Sequence, residues 1–108
     1  MGAGACRGDG ARRVGTVRSV EPVREARRAV YRLEGDVGGA SRQSAAGLTD
    51  NYTEAELEGR QVVAVVNLGT VNIAGFESQC LVVGVDDAEG DVVHLQPERE
   101  VPDGTRVY

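Results

Sequence analysis

The sequence predicts a small all-β domain built from short strands and many turns. Valine occurs 18 times among 108 residues, isoleucine once and tryptophan never, so the apolar residues are mostly β-branched and favour strands. Glycine supplies 15 residues, about 14% against a usual share of roughly 7%, which indicates frequent turns. A chain of this length buries one modest core. The composition therefore argues against a coiled coil or a helical bundle.

The first part of the chain predicts three strands after an N-terminal arm. Residues 1–12 are rich in glycine, alanine and arginine and show no periodicity, so we interpret them as a flexible arm before a domain at 13–108. Pro22 lacks a backbone donor and is expected to end the first strand. The predicted strands are residues 14–20, 29–34 and 41–45, with a turn at 35–39.

Residues 53–57 predict the one helix. Thr53 and Glu56 have the spacing of a capping box, in which the hydroxyl accepts from the N3 amide and the carboxylate accepts from the cap amide. Gly59 follows as a stop signal. The predicted helix is barely two turns long.

The second part of the chain predicts three more strands. Residues 61–67 form a continuous apolar run that is typical of a central strand buried on both faces, and residues 80–85 and 91–95 follow. Turns are predicted at 86–90 and 102–104. This order favours a five-stranded Greek-key barrel of the oligonucleotide/oligosaccharide-binding (OB) type, with the short helix between strands 3 and 4 and short accessory strands.

The charges are unevenly distributed along the chain. The 12 basic residues are all arginine, and 17 acids give a net charge of −5. Residues 1–42 carry a net charge of +4 and residues 43–108 a net charge of −9. The basic half fits either a phosphate-binding surface or charges that mix in space and merely solvate the fold. The lysine-free, acidic composition fits either a GC-rich genome or a salt-loving cytoplasm.

Several classes of protein are disfavoured by the sequence. No apolar run approaches 18 residues, and the first residues lack the apolar core of a secretory signal, so we expect a cytoplasmic protein without membrane insertion. His94 has no Cys or carboxylate at ligand spacing, and no phosphate-binding loop or nucleophile triad is present. We therefore expect no catalysis, no cofactor and no metal.

From about residue 13 onward the chain resembles a known family in a series of sequence blocks. These blocks are Glu25-Ala-Arg with Ala29-Val-Tyr-Arg-Leu, Arg42-Gln-Ser-Ala-Ala, Gly59-Arg-Gln-Val-Val-Ala-Val-Val-Asn67, Ile73-Ala-Gly-Phe with Ser78, Gly90-Asp-Val-Val, Gln96-Pro, and Val101-Pro-x-Gly-Thr105. Their wording and order are similar to the CsaA family of export-related chaperones, within the wider group of tRNA-binding barrels.

The resemblance implies a homodimeric OB barrel that binds unfolded polypeptide or tRNA without a catalytic step. We interpret the protein as a CsaA-like chaperone related to secretion and export. A structure-specific tRNA-binding module and a synthetase-associated subunit are the alternatives. The family is usually basic at five positions that are not basic in this chain, which implies weak tRNA binding: Asp50, Asn51, Val71, Asn72 and Glu77.

The candidate binding residues lie in or beside the matched blocks. Arginine suits phosphate because its planar guanidinium can make paired hydrogen bonds. The candidates for contact with RNA are Arg13, Arg18, Arg42, Gln43, Ser44, Asn67 and Ser78. The candidates for contact with polypeptide are Tyr52, Phe76 and Gln79. The alternatives are solvated surface arginines, turn caps for Asn67 and Ser78, and a place in the core for Phe76 and Tyr31.

Overall fold

The computed structural model describes residues 12–23, 30–66, 71–73 and 76–108, in which strands dominate. The strands are β1 (Arg12–Val23), β2 (Val30–Asp36), β3 (Ser41–Ala46), β4 (Gln61–Val65), β5 (Val71–Ile73), β6 (Phe76–Ser78), β7 (Leu81–Val82), β8 (Gly84–Asp86), β9 (Val92–His94) and β10 (Arg106–Val107). The helix, α1 (Glu54–Leu57), lies between β3 and β4 as predicted. The all-β prediction is confirmed.

The main sheet is antiparallel and curls into an OB-type barrel. Its strand order is β3-β2-β1-β4-β7, and β10 pairs with the start of β1. The N–H of Gln79 donates to the carbonyl of Gln43 (2.8 Å), which joins β3 to the segment leading into β7. Arg12 is the first residue of β1, so strand structure begins one residue before the predicted domain start. The rest of the predicted arm, residues 1–11, lies outside the described residues.

β1 is longer than predicted because Pro22 does not end it. Pro22 faces Tyr31 of β2, whereas β4 pairs with β1 only from Arg12 to Thr16. At Pro22 the strand therefore has one neighbour, and the missing donor leaves the ladder intact. Farther back, a bulge separates the pairs made by Val17 and Ser19, so Arg18 is the extra residue. A bulge redirects side chains locally.

The predicted strand at 80–85 is broken into two short strands. β7 pairs with β4, whereas β8 forms a separate hairpin with β9. Val83 lies between them and donates its N–H to the Val63 carbonyl (3.0 Å), while its own carbonyl accepts from Leu95 (3.1 Å). The chain changes partners at Val83, which an apolar run alone does not reveal. A further hairpin, β5–β6, was not predicted from periodicity.

α1 begins with the predicted capping box. The Thr53 hydroxyl accepts from the Glu56 N–H (3.3 Å), and the Glu56 carboxylate accepts from the Thr53 N–H (2.8 Å). The Thr53 N–H, together with the Thr53 hydroxyl, donates to the Glu56 carboxylate and lowers its pKa. Leu57 ends the helix fully buried, and Gly59 follows with a positive φ of 86°.

One core fills the barrel between β1, β2, β4 and the helix. Its buried apolar side chains are Val17, Val20, Tyr31, Leu33, Ala46, Leu48, Leu57 and Val62. The Tyr31 hydroxyl reaches the Tyr52 carbonyl (2.9 Å), which satisfies its polar end. The core therefore fixes the loop before α1 as well as the strands.

Two glycines bring the β2–β3 turn against the turn before β10. Gly38 and Gly104 both have positive φ angles, 77° and 89°. A Cβ built on Gly104 would lie 2.7 Å from the Gly38 Cα, and one on Gly38 would lie 2.8 Å from the Gly104 Cα. Neither position has room for a side chain.

Candidate ligand-binding surfaces

A wide groove of about 770 Å³ lies between the barrel and the segment 96–103 that follows β9. Thr16, Arg18 and Gln61 line the barrel side. The Gln61 amide holds the opposite wall, because Nε2 donates to the Val101 carbonyl (2.7 Å) and Oε1 accepts the Val101 N–H (3.1 Å). The Gln61 side chain thus makes the pair of hydrogen bonds to the Val101 backbone that a neighbouring strand would otherwise make. We refer to this feature as the 96–103 groove.

Arg18 enters the 96–103 groove between two carboxylates. Its Nη2 lies 3.6 Å from Asp103 Oδ2 and 3.9 Å from Asp36 Oδ2. The Thr16 hydroxyl donates to the other oxygen of Asp103 (2.6 Å). Partly exposed ion pairs of this kind contribute little to stability, about 0–1 kcal/mol. Their effect is on recognition, because a phosphate would have to compete with both carboxylates for Arg18.

The three predicted arginines do not form a single cluster. Arg13 donates to the Gly104 carbonyl through Nη1 (3.4 Å), beside the Asp103 carboxylate that Arg18 contacts. Arg42 lies on β3 opposite Gly35, and its side chain is half-buried. The structure therefore brings Arg13 and Arg18 to the turn before β10 and leaves Arg42 on another strand.

Gln43 and Gln79 are engaged in closing the barrel. The Gln43 N–H donates to Gln79 Oε1 (3.1 Å), and the Gln43 amide Nε2 donates to the Glu77 carbonyl (2.8 Å). Both side chains remain half-buried. The two amides thus hold β3 against β6 and the segment leading into β7. A ligand that binds at this edge would have to compete with these hydrogen bonds.

Ser44 and Ser78 are buried, so neither hydroxyl can contact RNA directly in this conformation. Ser44 is 1% exposed and donates to the Ala45 carbonyl (3.1 Å). The Ser78 hydroxyl donates to the Cys80 carbonyl (3.0 Å) and accepts from the Ala45 N–H (3.3 Å). Their place in the structure is internal support for β3 and β6.

A small pocket of about 20 Å³ lies between the strands, lined in part by Arg42, Ser44 and Cys80. Burial raises the pKa of the Cys80 thiol, and the nearby Arg42 charge opposes that shift. The volume is near that of a single water molecule and gives no room for a larger ligand.

Tyr52 is packed rather than fully exposed. Its ring centroid lies 5.0 Å from that of His94, with the planes tilted by 44°. The guanidinium carbon of Arg60 lies 5.8 Å from the Tyr52 ring centroid, while Arg60 Nε donates to the Glu56 carbonyl (2.8 Å). Since Arg60 also lines the 96–103 groove, Tyr52 borders the groove through Arg60.

Phe76 and Asn67 are the two remaining candidates. Phe76 is the first residue of β6 and pairs with Ile73. Asn67 lies outside the described residues. Their predicted contacts with polypeptide and RNA stay predictions.

Asn51, which stands where the family resemblance implies a basic residue, makes hydrogen bonds within the domain. Its Nδ2 donates to Asp87 Oδ2 (3.1 Å) and to the Val92 carbonyl (3.0 Å). The first of these bonds, together with backbone donors, lowers the pKa of Asp87. Burial and the charges of Asp50 and Asp87 raise the pKa of Asp91. This end of the barrel is acidic and offers no attraction for phosphate.

A second surface is apolar and lies on the outside of β7, β8 and β9. Val82, Val92 and His94 face inward, because the two valines pack against the core and His94 is buried. The side chains that alternate with them face outward, and Leu81 is 47%, Val85 53% and Leu95 41% exposed. We refer to Leu81, Val83, Val85, Val93 and Leu95 as the outer apolar face. An apolar run such as 80–85 predicts a strand but does not reveal which of its side chains face outward.

Asp103 and Arg60 were also missed as groove residues. Asp103 belongs to a Pro-Asp-Gly sequence that signals a turn and nothing more. Arg60 follows the helix stop signal, and no periodicity links it to Tyr52. In the residues that the structure describes, no group of His, Cys, Asp and Glu is arranged to hold a metal ion. Within the same residues, no helix is long and apolar enough to cross a membrane.

Comparison with known proteins gives the family. Residues 12–106 match the family model described as "Putative tRNA binding domain". The structure superposes on the chaperone CsaA from Bacillus anthracis with a TM-score of 0.85 and 44% identity, covering 91% of this chain and 90% of that one. The chain belongs to the CsaA family of tRNA-binding-type domains. The CsaA resemblance and the OB-type fold are both confirmed.

Other members of the group are similar over the same length. The CsaA chaperone from Picrophilus torridus has a TM-score of 0.85 and 32% identity, with 93% of this chain and 92% of that chain covered. The methionine–tRNA ligase of Methanosarcina acetivorans is 38% identical over 96 residues, which is 88% of this chain and 13% of the ligase. The CsaA-family domain thus spans a small fraction of the curated relatives it matches.

Proposed function

We propose that this CsaA-family domain is a non-catalytic homodimer that binds unfolded polypeptide in the 96–103 groove. The observation that carries the proposal is the groove itself, a wide polar channel whose Arg18 is balanced by Asp36 and Asp103. A channel with balanced charge suits the mixed side chains of an unfolded chain better than it suits a polyanion. Gln61 and Arg60 give the channel fixed polar walls.

The outer apolar face supports the homodimer in this proposal. Leu81, Val85 and Leu95 are each more than 40% exposed, and Val85 faces Val93 across the β8–β9 hairpin. Contiguous apolar patches of this kind mark interaction sites. A second copy of the chain offers the same face, so the two can pair about a twofold axis. We further propose that the polypeptides it binds are destined for export and that the protein is cytoplasmic. These two parts of the proposal rest on the CsaA resemblance alone.

Blocking the 96–103 groove should weaken polypeptide binding about fivefold. Gln96 is exposed and lines the groove, so Gln96→Trp places a large ring in the channel. Glu89→Trp puts the same ring on the β8–β9 turn, outside the groove, and is the matched control. Binding to a reduced, carboxymethylated and therefore permanently unfolded test protein would be measured by fluorescence anisotropy. A fivefold loss corresponds to about 1 kcal/mol. Equal affinities for the two tryptophan variants would contradict the groove assignment.

tRNA is the second candidate ligand, favoured by the family match over residues 12–106. The family resemblance implies basic residues at Asp50, Asn51, Val71, Asn72 and Glu77, so we expect weak and salt-sensitive binding carried by Arg13, Arg18 and Arg42. A synthetase-associated subunit is a related alternative, because the similar segment of the methionine–tRNA ligases is a small part of a larger enzyme. Such a subunit would bind tRNA through the same surface.

Restoring positive charge should tighten tRNA binding. The double variant Asp50→Lys with Glu77→Lys should steepen the log–log salt dependence by up to about two units, one for each further phosphate that a lysine neutralises. Glu54→Lys with Glu58→Lys makes the same charge change at the exposed ends of α1 and is the control. Arg42→Ala should loosen binding. Fluorescence anisotropy with labelled tRNA across a salt series would be measured for the wild type, the two double variants and Arg42→Ala. Coincident binding curves for all four proteins would rule out tRNA binding at the positions of Asp50, Glu77 and Arg42.

A further inference from the structure

His94 is buried, and one of its two ring nitrogens lacks a hydrogen-bond partner among the described residues. It is the only histidine in the sequence and is 5% exposed. Nδ1 lies 3.3 Å from the Leu95 carbonyl, a distance at which the neutral ring can donate to it. Nε2 is buried and has no hydrogen-bond partner among the residues that the structure describes. Such an orphaned polar atom in a native core calls for an explanation.

The groups around His94 disfavour a second proton on the ring. Tyr52 covers one side at a centroid distance of 5.0 Å, and Arg60 lies above Tyr52 and brings a like charge. The carboxylates of the β8–β9 turn and its neighbour, Asp50, Asp87 and Asp91, are grouped where Asn51 joins Asp87 to Val92. In the described structure, none of these carboxylates is hydrogen-bonded or ion-paired to His94.

Protonation therefore conflicts with the packed position of the ring. A charged imidazole would donate from Nε2, and the described surroundings offer that donor no acceptor. Burial lowers the pKa of His94 below its ordinary value of 6.5, and Arg60 lowers it further, while the hydrogen bond to Leu95 opposes both. A protonated ring gains a full hydration shell only by leaving the space beneath Tyr52.

We propose that His94 is a pH-sensitive latch: protonation drives its ring out from beneath Tyr52 and loosens the wall of the 96–103 groove. Tyr52 contacts His94 on one side and Arg60 on the other, and Arg60 lines the groove. Release of the ring removes the support of Tyr52 and shifts β9, where the 96–103 segment begins. The effect on ligand affinity rests on the proposed function, whereas the latch itself does not.

The sign of the pH dependence follows from proton binding. Below pH 6.5 the unfolded chain binds a proton at His94 that the packed state excludes, so acid favours the unpacked state. The unfolding constant should rise up to about tenfold for each pH unit below 6.5 until the lowered pKa is reached. Above pH 6.5 the contribution of His94 is constant.

The first test compares the wild type with His94→Leu, which keeps an apolar side chain beneath Tyr52. Urea unfolding from pH 7.5 to pH 5.5 should show a loss of stability in the wild type that is absent in the variant. NMR of the wild type gives an independent readout, since one histidine yields one imidazole titration. Parallel stability curves, or a folded-state midpoint at or above 6.5, would overturn the latch even if the variant folded poorly.

The second test measures binding of the carboxymethylated test protein over the same pH range. The wild type should bind at least about threefold more weakly at pH 5.5 than at pH 7.5, because only the packed fraction is competent. His94→Leu should change far less. Absence of binding at every pH would refute the proposed function and leave the latch to be judged by the titration. Equal pH dependence in both proteins would refute the link between the latch and the groove.

Discussion

Replacing Gly104 by alanine should lower the free energy of unfolding by about 3 kcal/mol. A left-handed φ costs an alanine about 1 kcal/mol. The new Cβ would also stand 2.7 Å from the Gly38 Cα, which is backbone and cannot rotate away. Forcing the two turns apart adds about 1–3 kcal/mol. It would also displace Asp103, which anchors Thr16 and Arg18.

Gly90 provides the matched control for this substitution. Its φ of 84° is nearly the same as that of Gly104, and a Cβ there would meet nothing within 4 Å. Gly90→Ala should therefore cost only the conformational part, about 1 kcal/mol. Urea unfolding followed by circular dichroism measures both variants. Equal losses at the two glycines would mean that the contact between Gly38 and Gly104 is unimportant.

A charge on the outer apolar face should convert the proposed dimer into folded monomers. Leu95 is 41% exposed in the single chain, so Leu95→Asp leaves the barrel core intact. In a paired face, the same substitution buries a carboxylate without a partner. We expect the dimer to weaken by about 3 kcal/mol, or roughly 100-fold in dissociation constant.

Sedimentation equilibrium tests this expectation at roughly tens of micromolar protein, where a dimer with a Kd of about 1 μM is mostly paired and one weakened about 100-fold is mostly dissociated. The wild type and the control Leu95→Met, which keeps the apolar surface, should have the dimer mass, and Leu95→Asp the monomer mass. Unchanged circular dichroism would establish that the monomer is folded. A wild-type monomer at this concentration would refute the homodimer, and a dimeric Leu95→Asp would place the interface elsewhere.

Local sequence signals predicted the elements whose interactions are local. The Thr53–Glu56 capping box is satisfied by contacts three residues apart. In the run at 61–67, which is predicted to be buried, Val62, Val63 and Ala64 are buried, whereas Gln61, Val65 and Val66 are half-buried. Val17 and Val20 both enter the core although they are three residues apart, because the bulge at Arg18 adds one residue between them. That bulge determines which side Arg18 faces, and no propensity scale contains this information.

The binding surfaces depend on contacts between distant parts of the chain and were predicted only in part. Arg18 was selected as a cation, but its partner Asp103 lies 85 positions later and appears in the sequence only as a turn residue. Gln43 and Gln79 were selected as possible contacts, yet each completes the barrel for the other. The outer apolar face depends on the change of partners at Val83. The family resemblance located the segments that carry Gln43 and Gln79, whereas the contacts that these residues make became clear only from the folded structure.

The pairing of β10 with β1 brings the two ends of the domain side by side. Arg12 stands opposite Val107 and Arg13 opposite Arg106, so the chain enters and leaves the barrel at the same place. Neighbouring ends allow a domain to be appended to another protein, or inserted into one, without straining its sheet. This geometry makes the barrel a portable unit. It suits a fold that makes up 13% of a methionine–tRNA ligase in one setting and 90% of a CsaA chain in another.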